Sequence, residues 1–174
     1  RSELASWQGA DRSHITLAEG VHQVRPTILI GTSTRGGAFT EDIVKEMAAH
    51  CARPIIMPLS NPTSRAEATP ADLLAWTDGR ALIATGSPFD RADHDGVRYT
   101  IAQANNALIF PGLGLGVAAC RAQRVTEGMV DAAADALAGL VNAYRPGASL
   151  LPGISELRMV SATVAVAVAR AAAV

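Results

Sequence analysis

Three short apolar runs constrain this chain more than any other feature. Residues 27–31 (TILIG), 54–60 (PIIMPLS) and 81–86 (ALIATG) are continuous rather than alternating and rich in β-branched residues. Each ends on Gly, or on Ser followed by Asn. Runs of this kind predict strands buried on both faces, as in a parallel sheet covered by helices. The segments between them agree. Residues 40–51 read as a helix with Thr40 as N-cap and Ile43, Met47 and Ala48 on one face. Residues 69–79 repeat the plan, with Thr69 as cap, Pro70 at the first helical position and Gly79 as terminator. Alternation of strand and helix predicts a parallel α/β layer.

Beyond it, residues 97–112 (VRYTIAQANNALIFPG) supply one or two more short strands around a polar break at Gln103–Asn106. Helices follow. Residues 113–123 form one candidate. Residues 127–143 form another, opened by Thr126, with Met129, Val130, Ala133, Leu137 and Val141 on one face. Residues 155–172 contain TVAVAVA, which alternates like a strand, but the alanine content and Ser155 as cap favour a helix. Loops are expected at 90–97 and 144–153. The 174 residues suit a single α/β domain, residues 1–174.

Composition excludes several functions. Aromatics are 4% of the chain, too few for a stacking platform on single strands. Net charge is −1 and no run of Lys or Arg exceeds two neighbours, so a nucleic-acid footprint is not expected. The apolar tail is shorter than the roughly 20 residues of a membrane span and contains Arg170, so no membrane partner is expected. No signal peptide is visible. Cys51 and Cys120 are too few for a disulfide framework and lie in segments read as internal, which fits a reduced, cytoplasmic protein. A start at Arg1 fits a processed, truncated or excised piece.

Open α/β sheets bind ligands beyond the carboxyl ends of their strands. The breaks after the runs are GTSTRGGAFT (31–40), SNPTS (60–64), GSPFD (86–90) and Asn105–Asn106. They offer backbone N–H groups, hydroxyls and amides with few charges, which suits a polar neutral group or a carboxylate held by neutral donors. Asn61, between an apolar strand and Pro62, is either a turn former or a side chain held for use. GLGLGVAA matches a dinucleotide fingerprint formally through Gly114, Gly116 and Ala119. The acidic candidates that should follow, Asp131 and Asp135, fall inside an expected helix, so glycine-permitted helix–sheet packing is preferred. The histidines 14, 22, 50 and 94 lack ligand spacing, Asp90, Asp93 and Asp95 read as a solvated turn, and the cysteines read as packing residues.

In their order along the chain, PTILIGTSTRGGAFTEDIVKEMA, RPIIMPLSNPTSRAEATPADLLAWTDGRALIATGSPFD and QANNALIFPGLGLG resemble the NAD-binding domain of malic enzymes, closest in wording to bacterial malic and malolactic enzymes. The resemblance runs from about Thr16 to the final helix. It implies the second half of a doubly wound, Rossmann-type parallel sheet flanked by helices, with C-terminal helices packed on it. It also implies that Asn61, Asn105 and Asn106 hold malate, and that Thr32, Ser33, Thr34, Ser60, Asn61, Gly86 and Asn105 line NAD or NADP.

The family's tyrosine acid, lysine base, acidic metal ligands and glycine-rich turn belong to segments outside this sequence. Tyr99, Tyr144 and Lys45 do not sit in the matching motifs. Mg2+ or Mn2+ therefore belongs to the longer enzyme, with no ligand expected here, and no catalytic residue is assigned. The implied activity is oxidative decarboxylation of malate by a homo-oligomer of the longer enzyme. The alternatives are malolactic chemistry with NAD retained, a stand-alone dinucleotide-binding module, and a non-catalytic interaction domain. The 174 residues alone are expected to be inactive.

Overall fold

The computed structural model describes residues 15–172. Helix α1 (Leu17–Val24) comes first, and the sequence reading did not anticipate it. Its start is a reciprocal cap: the Thr16 hydroxyl accepts from the Glu19 N–H at 3.2 Å, and the Glu19 carboxylate accepts from the Thr16 N–H at 2.7 Å. Strands β1 (Ile28–Gly31), β2 (Ile55–Pro58) and β3 (Leu82–Thr85) follow, separated by α2 (Glu41–His50) and α3 (Pro70–Thr77). A hairpin of β4 (Ala92–His94) and β5 (Val97–Tyr99) precedes the short β6 (Ala102–Gln103). The chain ends in α4 (Phe110–Cys120), α5 (Glu127–Ala138) and α6 (Leu157–Ala171).

The main sheet has the order β1-β2-β3-β6, and every pair is parallel. Register places Ile28 opposite Ile55, Ile55 opposite Leu82 and Ala84 opposite Ala102. Leu29, Ile56 and Ile83 point into one core with Ile43, Val44 and Met47 of α2 and Leu73 and Leu74 of α3. Burial on both faces does not hold for β1. Ile28 and Ile30 remain 50% and 56% exposed, so that strand is covered on one face only among the described residues.

The three C-terminal helices do not lie on the sheet as expected. They build a second core of Met129, Ala133, Leu137, Val160, Val164 and Val168, joined by Leu108 from a one-turn 3-10 segment after β6. No strand residue takes part. TVAVAVA is helical because Val160, Val164, Ala165 and Val168 recur on one face as α6 packs on α4 and α5. Tertiary burial overrides the alternating pattern.

Several local expectations need correction. Thr69 and Thr126 do cap their helices, accepting from Asp72 and Met129 N–H groups, whereas Thr40 makes no side-chain cap bond. Ser155 lies in a 3-10 turn rather than at the N-cap of α6. Helix α5 ends at Ala138, leaving Val141 beyond it, and Val130 is 49% exposed. Leu108 closes a 3-10 turn, Ile109 is the N-cap of α4 and Phe110 begins that helix, so these residues do not extend a strand. The expected loop at 90–97 is mostly the β4–β5 hairpin, turned by Asp95 and Gly96 in left-handed conformations.

Candidate functional site

The parallel register brings four loops to one edge of the sheet. Each neighbouring pair keeps one hydrogen bond past the regular strands: Leu59 N–H to Gly31 C=O at 2.8 Å, Gly86 N–H to Pro58 C=O at 3.1 Å, and Ala104 N–H to Thr85 C=O at 2.9 Å. The chain then departs into residues 32–40, 59–66, 86–90 and 104–106. This is the carboxyl end of a parallel sheet, where such folds bind ligands.

Thr32, Ser33 and Thr34 are exposed on the first loop. A buried carboxylate that the sequence reading passed over holds that loop in place. Glu67 has no solvent exposure. Its Oε1 accepts from the Ser33 N–H at 2.8 Å, the Ser33 hydroxyl at 2.8 Å and the Ser60 hydroxyl at 2.5 Å. Its Oε2 accepts from the Ser60 N–H at 3.4 Å. The Ser60 oxygen in turn accepts from the Thr34 N–H at 2.8 Å. Burial pushes the Glu67 carboxyl up, but the hydrogen bonds from Ser60 and Ser33 together outweigh it and hold the group below its ordinary value. Ser60 is buried at 4% exposure, with its hydroxyl engaged by the Glu67 carboxylate and the Thr34 N–H.

Asn61 is exposed at the next turn, before a cis peptide to Pro62. Its amide oxygen accepts from the hydroxyl of Ser87, a buried residue on the third loop, at 2.5 Å. One amide N–H reaches the Leu59 carbonyl at 3.3 Å. Its partner shows that Asn61 is held from across the sheet. Asn105 is held similarly: its oxygen accepts from the Ala107 N–H at 2.9 Å and caps the 3-10 turn. Asn106 is exposed within that turn. Gly86 has a structural reason inside the protein, because a Cβ there would lie 2.0 Å from the Leu59 carbonyl oxygen. The Gly86 carbonyl also accepts from the Gln103 amide at 3.3 Å.

Two amides thus have their oxygens occupied by protein donors and keep N–H groups for a ligand. The ionisable side chains on these loops are the exposed Arg35, Arg65 and Asp90. Lys45 pairs with Glu41 on α2, Tyr99 donates to the Gly79 carbonyl, and Tyr144 is 87% exposed beyond the hairpin. None belongs to these four loops.

The remaining motifs lie elsewhere. Gly114, Gly116 and Ala119 are inside α4, so no strand-to-helix turn exists there to cradle a pyrophosphate. The packing permitted by glycine is also different from the one expected. A Cβ on Gly116 would lie 2.7 Å from both Val168 Cβ and the Ala165 carbonyl, so α4 packs closely on α6 rather than on the sheet. Asp131 and Asp135 are exposed on α5. Cys120 is exposed, not internal, and Cys51 is half-buried; both are free thiols. His22 pairs with Glu46 at 2.5 Å, His50 is exposed, and His14 lies outside the described residues. Asp93 pairs with Arg98 across the hairpin. Asp78, His94 and Asp95 are the one group of three metal-capable side chains among the described residues. They gather beside the start of β3, at the sheet end opposite the loops. No helix among the described residues is long and apolar enough to cross a membrane.

Known proteins resemble this chain in sequence and in fold. The chain is 58% identical over 171 residues to NAD-dependent malic enzyme 3 of Bacillus subtilis, a match covering 98% of this chain and 30% of that protein. It is 51% identical over 173 residues to an NAD-dependent malic enzyme of Pseudomonas aeruginosa, covering 99% of this chain and 31% of the relative. The crystal structure of a malic enzyme from Pyrococcus horikoshii superimposes with a TM-score of 0.68 at 28% identity, over 90% of this chain and 32% of that one. The chain therefore spans about a third of the length of these proteins. The family model described as the NAD-binding domain of malic enzyme matches residues 1–173. With that match over nearly its whole length, and with the polar loops at the carboxyl edge of its sheet, this chain belongs to the malic enzyme NAD-binding domain family.

Proposed function

We propose that the polypeptide carrying this chain oxidatively decarboxylates malate to pyruvate and CO2 with NAD as hydride acceptor. This chain supplies one wall of that site. The observation that carries the reading is the pair of amides fixed through their oxygens, Asn61 by Ser87 and Asn105 by Ala107, beside the exposed Asn106. Neutral N–H donors with restrained positions hold a carboxylate without neutralising it, and fixing its position lowers the entropic part of the barrier.

The donor set also fits NAD. Thr32, Ser33 and Thr34 are exposed along the edge, with the Ser33 hydroxyl donating to the inward-turned Glu67 carboxylate and the Thr34 hydroxyl to the Ser33 carbonyl. When bound, NAD accepts the hydride that leaves C2 of malate. Asn61, Asn105 and Asn106 hold the malate carboxylate during that step, and the 32–34 loop lies along the cofactor. Among the described residues the edge gathers no group of three metal-capable side chains: Glu67 is occupied by protein donors, Asp90 stands without a second ligand in such a group, and the Asp78–His94–Asp95 group lies elsewhere. No proton-transfer role is assigned to a residue of these loops. The single-domain organisation, the cytoplasmic location and a homo-oligomer of the longer enzyme complete the proposal; the free thiols of Cys51 and Cys120 support the second of these.

The test is product analysis on the polypeptide encoded by the complete gene, supplied with malate, NAD and Mn2+. Pyruvate and CO2 with stoichiometric NADH support the proposal. Lactate without net NADH replaces it with malolactic chemistry, and no turnover of malate rejects it.

A further inference from the structure

Glu67 has the features of a device rather than of a filler. It is the largest polar side chain among the fully buried ones, and three donors converge on a single oxygen of its carboxylate. The donors come from two separate loops: Ser33 follows β1 and Ser60 follows β2. Ser60 then passes the tie to the Thr34 N–H. The backbone of Glu67 also takes part, since its carbonyl accepts from the Phe39 N–H at 3.0 Å, at the far end of the same loop. Space is matched to it as well. A Cβ on Gly31 would lie 2.5 Å from the Glu67 carboxyl carbon and 2.7 Å from the Phe39 ring. A side chain at 31 would displace the carboxylate.

We propose that Glu67 is a positioning residue whose ionised carboxylate latches the Ser33–Thr34 segment to the Ser60–Asn61 turn, and so sets the spacing between the cofactor side and the carboxylate side of the site. The proposal rests on reading those loops as the NAD and malate wall. Buried carboxylates are costly to desolvate, and this one is retained because N–H and O–H donors from both loops need a common acceptor. A glutamine at this position offers one neutral acceptor oxygen to the three convergent donors and turns its amide N–H groups toward the Ser60 N–H, which also donates. A serine-only bridge between the loops would lack the charge that makes these hydrogen bonds strong.

The experiment compares wild type, Glu67→Gln and Ser60→Ala in the complete polypeptide. Backbone hydrogen exchange at Ser33 and Thr34 is measured first, because those N–H groups are the latched ones. We expect exchange in Glu67→Gln to accelerate on the order of ten- to a hundredfold at Ser33, whose hydrogen bond is to the charged group, and by less at Thr34, whose acceptor is the Ser60 hydroxyl, with the β2 and β3 amides unchanged. The KM and Kd for NAD should rise by about tenfold or more, with a smaller fall in kcat. If Glu67→Gln does not fold, Ser60→Ala keeps the charge and the Ser33 bond while breaking the Thr34 tie, so exchange should accelerate at Thr34, with the same direction of change in NAD affinity. Unchanged exchange at Ser33 and Thr34 overturns the latch. Accelerated exchange with unaltered NAD affinity leaves Glu67 a purely structural acceptor and overturns its positioning role. If wild type binds NAD but does not turn over malate, the proposed reaction fails while exchange and NAD titration still decide the latch.

Discussion

The carboxyl edge of the sheet and the three-helix unit that follows it are organised by opposite chemistry. At the edge, loops are joined by side-chain oxygens: Glu67 to Ser33 and Ser60, and Asn61 to Ser87. In the helical unit, α4, α5 and α6 meet through valines, alanines, Leu137 and Met129, and close approach at Gly116 replaces directional bonds. Apolar packing is tolerant in composition but sensitive to volume. Hydrogen-bonded loops are tolerant of volume at their exposed tips but sensitive to the identity of each donor and acceptor. A substitution should therefore reveal its region by whether it changes melting or turnover.

The largest effect is expected at Asn61. Asn61→Ala in the complete enzyme should lower kcat/KM on the order of ten- to a hundredfold, the value of a lost hydrogen bond to a charged group. Its melting temperature should stay near wild type, because Asn61 is exposed and outside both cores. Kinetics and thermal unfolding on the same preparation decide the matter. If the variant melts early while the folded fraction keeps full kcat/KM, Asn61 only shapes the turn.

Gly116→Ala should show the reverse. One methyl group pressed against Val168 and Ala165 has nowhere to go without separating α4 from α6. Overpacking of this kind costs about 1–3 kcal/mol, read as a fall in melting temperature with NAD affinity of the folded fraction retained. Two positions earlier the sign changes. A Cβ on Gly114 meets nothing within 4 Å, and replacing a helix-interior glycine by alanine stabilises by about 0.5–1 kcal/mol. Equal effects at 114 and 116 would refute the one-sided packing of α4.

The smallest effect concerns acid. Because Glu67 is held below its ordinary value of 4.5, its contribution to stability is complete above that value. It is lost as pH falls through the lower folded-state value, where the group must take up a proton. Melting temperature followed downward from neutrality should show this acid limb in wild type and a weaker one in Glu67→Gln. Parallel curves for the two proteins would mean that the network at Glu67 does not depend on charge.

The same contrast explains how much could be read from residues alone. The strands and the loops that follow them were legible, because TILIG, PIIMPLS and ALIATG state their burial locally and the loops begin where each run ends. Asn61, Asn105 and Asn106 were accessible for the same reason. Glu67 was not. It sits in the polar stretch SRAEATP, and its most informative partner, Ser33, is 34 residues away, so nothing local marks it as buried. Ser87 was missed similarly, since its bond to Asn61 spans 26 residues and two strands. Helix α1 is a different kind of omission. Thr16 and Glu19 spell its capping box openly. The Asp95–Gly96 turn likewise signalled a hairpin in a segment read as a loop. Register and long-range side-chain bonds are what the one-dimensional pattern does not contain.

The strand-like text of α6 has a consequence for how this protein fails. TVAVAVA is seven residues without charge or proline, with the β-branched alternation that stacks readily into intermolecular sheets. In the native state that segment is wound into a helix with Val164, Ala165 and Val168 buried. Its safety is conditional on the grip of α4. Once heat or a misplaced methyl group releases that grip, the freed segment can pair with another chain faster than it rewinds, so unfolding passes into aggregation and the operative measure of durability becomes a lifetime rather than an equilibrium.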